Sequence, residues 1–211
     1  MRVKICGITN LEQGCAIAQL GATDLGFICV EKSPRYQTAD QIAAITKHLP
    51  ASVNCIGVFA NAELADIGNL VQQAHLRAVQ LHGKESPAFC QQLRSQLPEI
   101  EIIKAIAVQS ADSLAQTKLY QGCVDTFLFD AYAPQHLGGT GRTFNWEYLR
   151  TFQSPYPWFL AGGLTPNNIY QALKIAQPDG IDLSSGVEFS PGNKNLEAVA
   201  KLFHHLQSKQ G

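Results

Sequence analysis

Hydrophobic positions along the chain switch repeatedly between two spacings. Short runs rich in Val, Ile, Leu and Phe alternate with longer stretches in which apolar residues recur every three to four positions. The first pair is Arg2-Val3-Lys4-Ile5-Cys6 followed by a helical pattern over 11–20. Seven further strands are predicted at 24–30, 53–59, 77–81, 101–107, 124–130, 158–161 and 180–184. Helices are predicted after each, at 38–48, 62–74, 86–96, 110–118, 145–152, 165–176 and 195–207, several opening on a Ser, Thr or Asn suited to an N-cap. Dividing 211 residues among eight units leaves about 26 for each, enough for a lean (β/α)₈ barrel. A six-stranded doubly wound sheet would leave two units over. No Pro-, Gly- or Ser-rich linker interrupts the series, so a single domain over residues 1–211 is expected.

Composition narrows the function classes. The chain is 45% hydrophobic and 16% charged, enough apolar matter for a sizeable core. Sixteen Lys and Arg against seventeen Asp and Glu give a net charge of −1, without the basic excess that nucleic-acid binding demands. The six cysteines form no C-x-x-C pair, which argues against zinc or a disulfide framework and for thiols in a reducing cytoplasm. No leader-like or membrane-length apolar run is seen, so no membrane partner is expected.

In such a barrel chemistry gathers where strands end and helices begin. Cys6 ends the first strand, and alternation puts it on one face with Lys4 while Val3 and Ile5 point away. A cation beneath a thiol favours the thiolate, making a base or nucleophile available near neutral pH; a small buried hydrophobe is the plainer alternative. Asp130 ends the sixth strand, with Phe127 and Phe129 facing the helices, and could serve as a general acid or merely brace a loop. Arg35, after Ser33-Pro34, offers a planar clamp for a carboxylate. Gly162 and Gly163 after the seventh strand, with Ser185 and Gly186 after the eighth, would let backbone N–H groups approach a phosphate. Asp182 shares a face with Ser184 and suits a substrate hydroxyl or, more naturally, a cavity brace. His82 and Gln80 share a face of the fourth strand, and His82 receives no role.

The order of motifs resembles the phosphoribosylanthranilate isomerase family of tryptophan biosynthesis over essentially the whole chain. The segments are K-I-C-G-I-T at 4–9, S-P-R-Y at 33–36, G-V-F at 57–59, V-Q-L-H-G at 79–83 and F-D-A at 129–131. G-G-T-G at 138–141, L-A-G-G-L at 160–164 and S-S-G-V-E at 184–188 follow. The resemblance implies an Amadori rearrangement of N-(5-phosphoribosyl)anthranilate in a (β/α)₈ barrel of ribulose-phosphate-binding type. It implies no metal or organic cofactor, a small phosphosugar as partner, and a monomer or homodimer. It also implies Cys6 as general base, Asp130 as general acid, Arg35 as carboxylate clamp and the last two loops as the phosphate site. Asn145, Asn167 and Asn195 stand where the family commonly has aspartate; all three fall near predicted helix starts and read as preserved caps. An epimerase-like phosphosugar barrel and a non-catalytic phosphate-binding barrel are the competing readings.

Overall fold

In the computed structural model, which describes residues 1–131 and 143–207, eight parallel strands close a barrel in sequence order. They are β1 (Arg2–Cys6), β2 (Asp24–Ile28), β3 (Asn54–Phe59), β4 (Ala78–Leu81), β5 (Glu101–Val108), β6 (Thr126–Ala131), β7 (Trp158–Leu160) and β8 (Gly180–Leu183). The helices α1 (Leu11–Gln19), α2 (Ala39–Thr46), α3 (Leu64–Gln73), α4 (Pro87–Gln96), α5 (Ile169–Ile175) and α6 (Leu196–Gln207) lie between or after them. The G-G-T-G segment at 138–141 lies outside the described residues.

Strand alternation sorts the side chains as the sequence predicts. Val3, Ile5, Phe127 and Phe129 enter the layer between barrel and helices, where the rings of Phe127 and Phe129 stack 6.2 Å apart. Alternate positions point inward, and Ile56, Ala78, Ile103, Ala105, Leu128, Phe159 and Ala161 form a separate interior cluster. One inner layer is polar and closes the end of the barrel where the strands begin. There Arg2 lies 2.6 Å from Glu101 and also pairs with Asp24; Asn54 donates to both carboxylates at 3.2 Å, and Thr126 donates to Glu101 at 2.7 Å. The Arg2 guanidinium also stacks 4.7 Å over the Phe159 ring.

Asn10, Thr38 and Ser86 cap α1, α2 and α4 through their side chains. Two predicted helices are instead 3₁₀ segments, Ala111–Tyr120 and Trp146–Leu149. In the first, Leu114 and Thr117 are buried three residues apart, the spacing that a 3₁₀ turn superimposes. The second is followed by Ser154, Pro155 and Pro157, which prevent continuation. Asn145 and Asn195 cap through their side-chain oxygens, but Asn167 does not. Helix α5 starts at Ile169, one residue later than that reading requires, and Asn167 instead accepts from Lys201 Nζ at 2.8 Å. Beyond β8 the chain forms a 3₁₀ turn, Ser185–Val187, and then an unpredicted hairpin of β9 (Glu188–Ser190) and β10 (Asn193–Lys194).

Candidate active site

All nine residues singled out from the sequence, Cys6, Arg35, Asp130, Gly162, Gly163, Asp182, Ser184, Ser185 and Gly186, line one cavity of about 490 Å³. The cavity opens where the strands end, and Gln80, His82 and Lys32 share its wall.

Cys6 occupies the seam between β1 and its neighbours. Its register partner on β2 is Gly26, where an added Cβ would lie 2.6 Å from the Cys6 sulfur, so the missing side chain creates the thiol's space. The Cys6 carbonyl accepts from Ser184 Oγ at 3.0 Å and from Lys194 Nζ, which fixes the backbone beneath the sulfur. Lys4 lies below as predicted and is fully buried, with its ammonium 3.0 Å from Asp182. Burial alone would lower Lys4, but Asp182 and the thiol raise it well above the ordinary lysine value. The cation favours the thiolate, but a second effect opposes it. Burial pushes the Cys6 thiol up, outweighing Lys4 and Lys194, so the protonated thiol is the resting form. Asp182 is also raised by burial, against the pull of Lys4, and its contact makes it a brace across the β1–β8 seam.

Arg35 already holds a carboxylate. Its Nε and Nη2 fork onto Glu188 at 3.0 and 2.7 Å, without using Nη1. Lys194 completes the group, 2.6 Å from Glu188 and completely buried. Burial opposes a charge on Glu188, yet Arg35 and Lys194 together hold it below the usual carboxylate range. Burial also lowers Lys194.

Asp130 projects from the end of β6. One of its oxygens accepts from the Ala131 N–H at 2.8 Å, and the other lies 3.2 Å from His82 Nε2. Across the cavity the loops after β7 and β8 pack backbone against backbone. A Cβ on Gly186 would fall 1.9 Å from the Leu164 carbonyl oxygen, so only glycine fits. Gly162 adopts φ +84, and a Cβ there would meet the Ala131 nitrogen at 2.6 Å. Among the described residues, no group of three or more His, Cys, Asp or Glu converges to hold a metal ion, and no helix is long and apolar enough to cross a membrane.

The family model for N-(5'-phosphoribosyl)anthranilate isomerase matches residues 3–205. The chain belongs to that family. It is 58% identical over 207 residues to N-(5'-phosphoribosyl)anthranilate isomerase from Rippkaea orientalis, covering 98% of this chain and 96% of that protein. The crystal structure of phosphoribosyl anthranilate isomerase from Thermotoga maritima superposes with a TM-score of 0.90 at 32% identity, covering 99% of each chain. A family structure in complex with reduced 1-(o-carboxyphenylamino)-1-deoxyribulose 5-phosphate superposes with a TM-score of 0.84, also at 32% identity and 99% of each chain.

Within this isomerase-family site, the sequence reading missed the partners of its own candidates. Glu188 closes the S-S-G-V-E segment but was given no role, and Lys194 was not considered. Gly26 likewise went unnoticed as the neighbour of Cys6. A Gly facing a cavity cysteine across adjacent strands is a usable signal. The pairing of Lys194 with residue 6 spans 188 positions and has no periodic signature.

Proposed function

We propose that the chain converts N-(5-phosphoribosyl)anthranilate to 1-(2-carboxyphenylamino)-1-deoxyribulose 5-phosphate by an Amadori rearrangement, as a step of tryptophan biosynthesis. The observation that carries this reading is the opening of a thiol from β1 and a carboxyl from β6 onto one cavity, with a guanidinium and two glycine-bearing loops on the same wall. The loops after β7 and β8, with Gly162, Gly163, Ser185 and Gly186, take the phosphate on backbone N–H groups. Arg35 takes the anthranilate carboxylate through Nη1, the donor that its Glu188 fork does not use. Ser184 and Asp182 face the sugar between them.

The two proton carriers need one proton between them. At rest it sits on Cys6; in the working form Asp130 holds it and the sulfur is a thiolate. Asp130 then protonates the furanose ring oxygen, and the C1′–O bond breaks to give an iminium ion. The iminium acidifies C2′–H, and the thiolate removes that proton, leaving an enolamine that tautomerises to the ketone. A thiolate raised by burial is scarce but correspondingly more basic once formed. Proton removal returns Cys6 to its thiol and leaves Asp130 ionised, the resting distribution.

The reading includes a cytoplasmic location, which six free thiols suit, one domain over residues 1–211, and a monomeric or homodimeric state. The test is the anthranilate fluorescence of freshly generated N-(5-phosphoribosyl)anthranilate, followed with purified protein. The signal is expected to fall with active protein while ribulose 5-phosphate in a parallel reaction is left unchanged. Binding without turnover, or epimerisation of ribulose 5-phosphate, would replace this reading with one of its rivals.

A further inference from the structure

Two side chains of the cavity wall take no part in the reaction above. Gln80, 1% exposed, and His82 lie two residues apart at the end of β4, so alternation turns both into the barrel. Gln80 Nε2 stands 2.8 Å from His82 Nδ1, while His82 Nε2 stands 3.2 Å from Asp130 Oδ2. An amide nitrogen brings only hydrogens to such a contact, so Nδ1 must accept. A neutral ring then carries its one hydrogen on Nε2 and donates it to Asp130. With the Ala131 N–H on Oδ1 at 2.8 Å, each oxygen of the Asp130 carboxyl has a donor, and the plane of the group is set.

The reversed amide would place Oε1 against Nδ1 and require a hydrogen there, giving either an imidazolium that holds Asp130 as its anion or an Nδ1–H ring whose Nε2 accepts from a protonated Asp130. As the amide stands, the buried Oε1 has no hydrogen-bond partner among the described residues. Reversal would shift that deficit to an amide N–H group, which is the costlier group to leave unpaired.

We propose that Gln80 and His82 are positioning residues for Asp130. The Gln80 amide fixes the neutral, Nε2-protonated tautomer of His82, and the ring aims the carboxyl without locking it in the ionised form. The proposal rests on Asp130 acting as the general acid. The charged groups around the ring are Asp130 on β6 and Asp182 on β8, with Lys4 of β1 beyond it. Lys104 of β5, paired with Glu85 at 2.9 Å, grips the carbonyls of Leu81 at 3.2 Å and Gly83 at 2.8 Å. The backbone on either side of His82 is therefore held independently of its ring, so substitutions at the ring should leave the loop in place.

Nitrogen NMR of histidine-labelled wild-type protein reads the tautomer directly, with the His82 signals assigned by their absence in His82→Gln. A bare Nδ1 and a protonated Nε2 near neutral pH are expected; an Nδ1–H tautomer or an imidazolium overturns the proposal. Kinetics give a second reading on folded variants. Gln80→Glu offers Nδ1 an acceptor, so the ring should become doubly protonated and kcat fall about 10- to 100-fold with KM near wild type. His82→Gln, which keeps an N–H donor, should retain more turnover than His82→Leu. Equal losses in those two variants, or wild-type kcat in Gln80→Glu, count against it. An active Asp130→Asn would sink the general-acid reading itself, whereas an inactive Asp130→Asn beside an Nδ1–H ring sinks only this proposal.

Discussion

The two ends of the barrel carry the same kinds of side chain and use them in opposite ways. Where the strands begin, Arg2, Asp24, Asn54, Glu101 and Thr126 satisfy one another in a closed network spanning five strands. Where the strands end, the groups are braced from behind but not used up. Cys6 is gripped through its carbonyl by Ser184, Arg35 holds Glu188 without Nη1, and Gln80 keeps a buried oxygen without a partner among the described residues. A satisfied polar layer rigidifies; a layer held in place yet incompletely satisfied is the one able to bind and react.

The contrast can be broken most forcefully at Asp130. Asp130→Asn should lower kcat by about 10²–10⁴-fold while a thermal melt stays near wild type. At the other end, Arg2→Met leaves two carboxylates facing each other, Asp24 being 1% exposed, and should cost roughly 2–4 kcal/mol in urea unfolding. Its kcat should be unchanged wherever the protein is folded. Arg35→Met removes charge-assisted hydrogen bonds to a ligand carboxylate and should raise KM about 10- to 100-fold, with a smaller effect on kcat.

The smallest effect sharpens the picture of the thiol. Because the active form shares one proton between an acid and a thiol, kcat/KM should be flat across neutrality and fall on the alkaline side only when that last proton leaves Cys6. Burial raises Cys6, so the alkaline limb is expected above the ordinary thiol value of about 8.5. Lys194→Met, which removes a cation that favours the thiolate, should move it higher by about one unit or less. An alkaline limb below the ordinary thiol value, or one that shifts downward in the variant, would reverse the sign of this account.

Much of this was legible in the chain because the barrel writes itself as alternation. The parity of Val3, Lys4, Ile5 and Cys6 is enough to say which residues enter the interior, and the same logic turns Phe127 and Phe129 outward. Convergence of the nine candidates followed from their common place at strand ends. What was lost depends on short elements or on burial. Strands β9 and β10 are three and two residues long, too short for any period, and they carry Glu188 and Lys194 to the site. The protonation of Cys6 was not legible, because a neighbouring lysine is visible in sequence while the removal of solvent around the sulfur is not. Asn167 was misassigned by a one-residue shift in where α5 begins.

The most direct test is kcat of Cys6→Ala for N-(5-phosphoribosyl)anthranilate, taken with its thermal melt. The account predicts turnover reduced at least about 10²-fold in a protein that melts near wild type. Turnover close to wild type in that folded variant would contradict it.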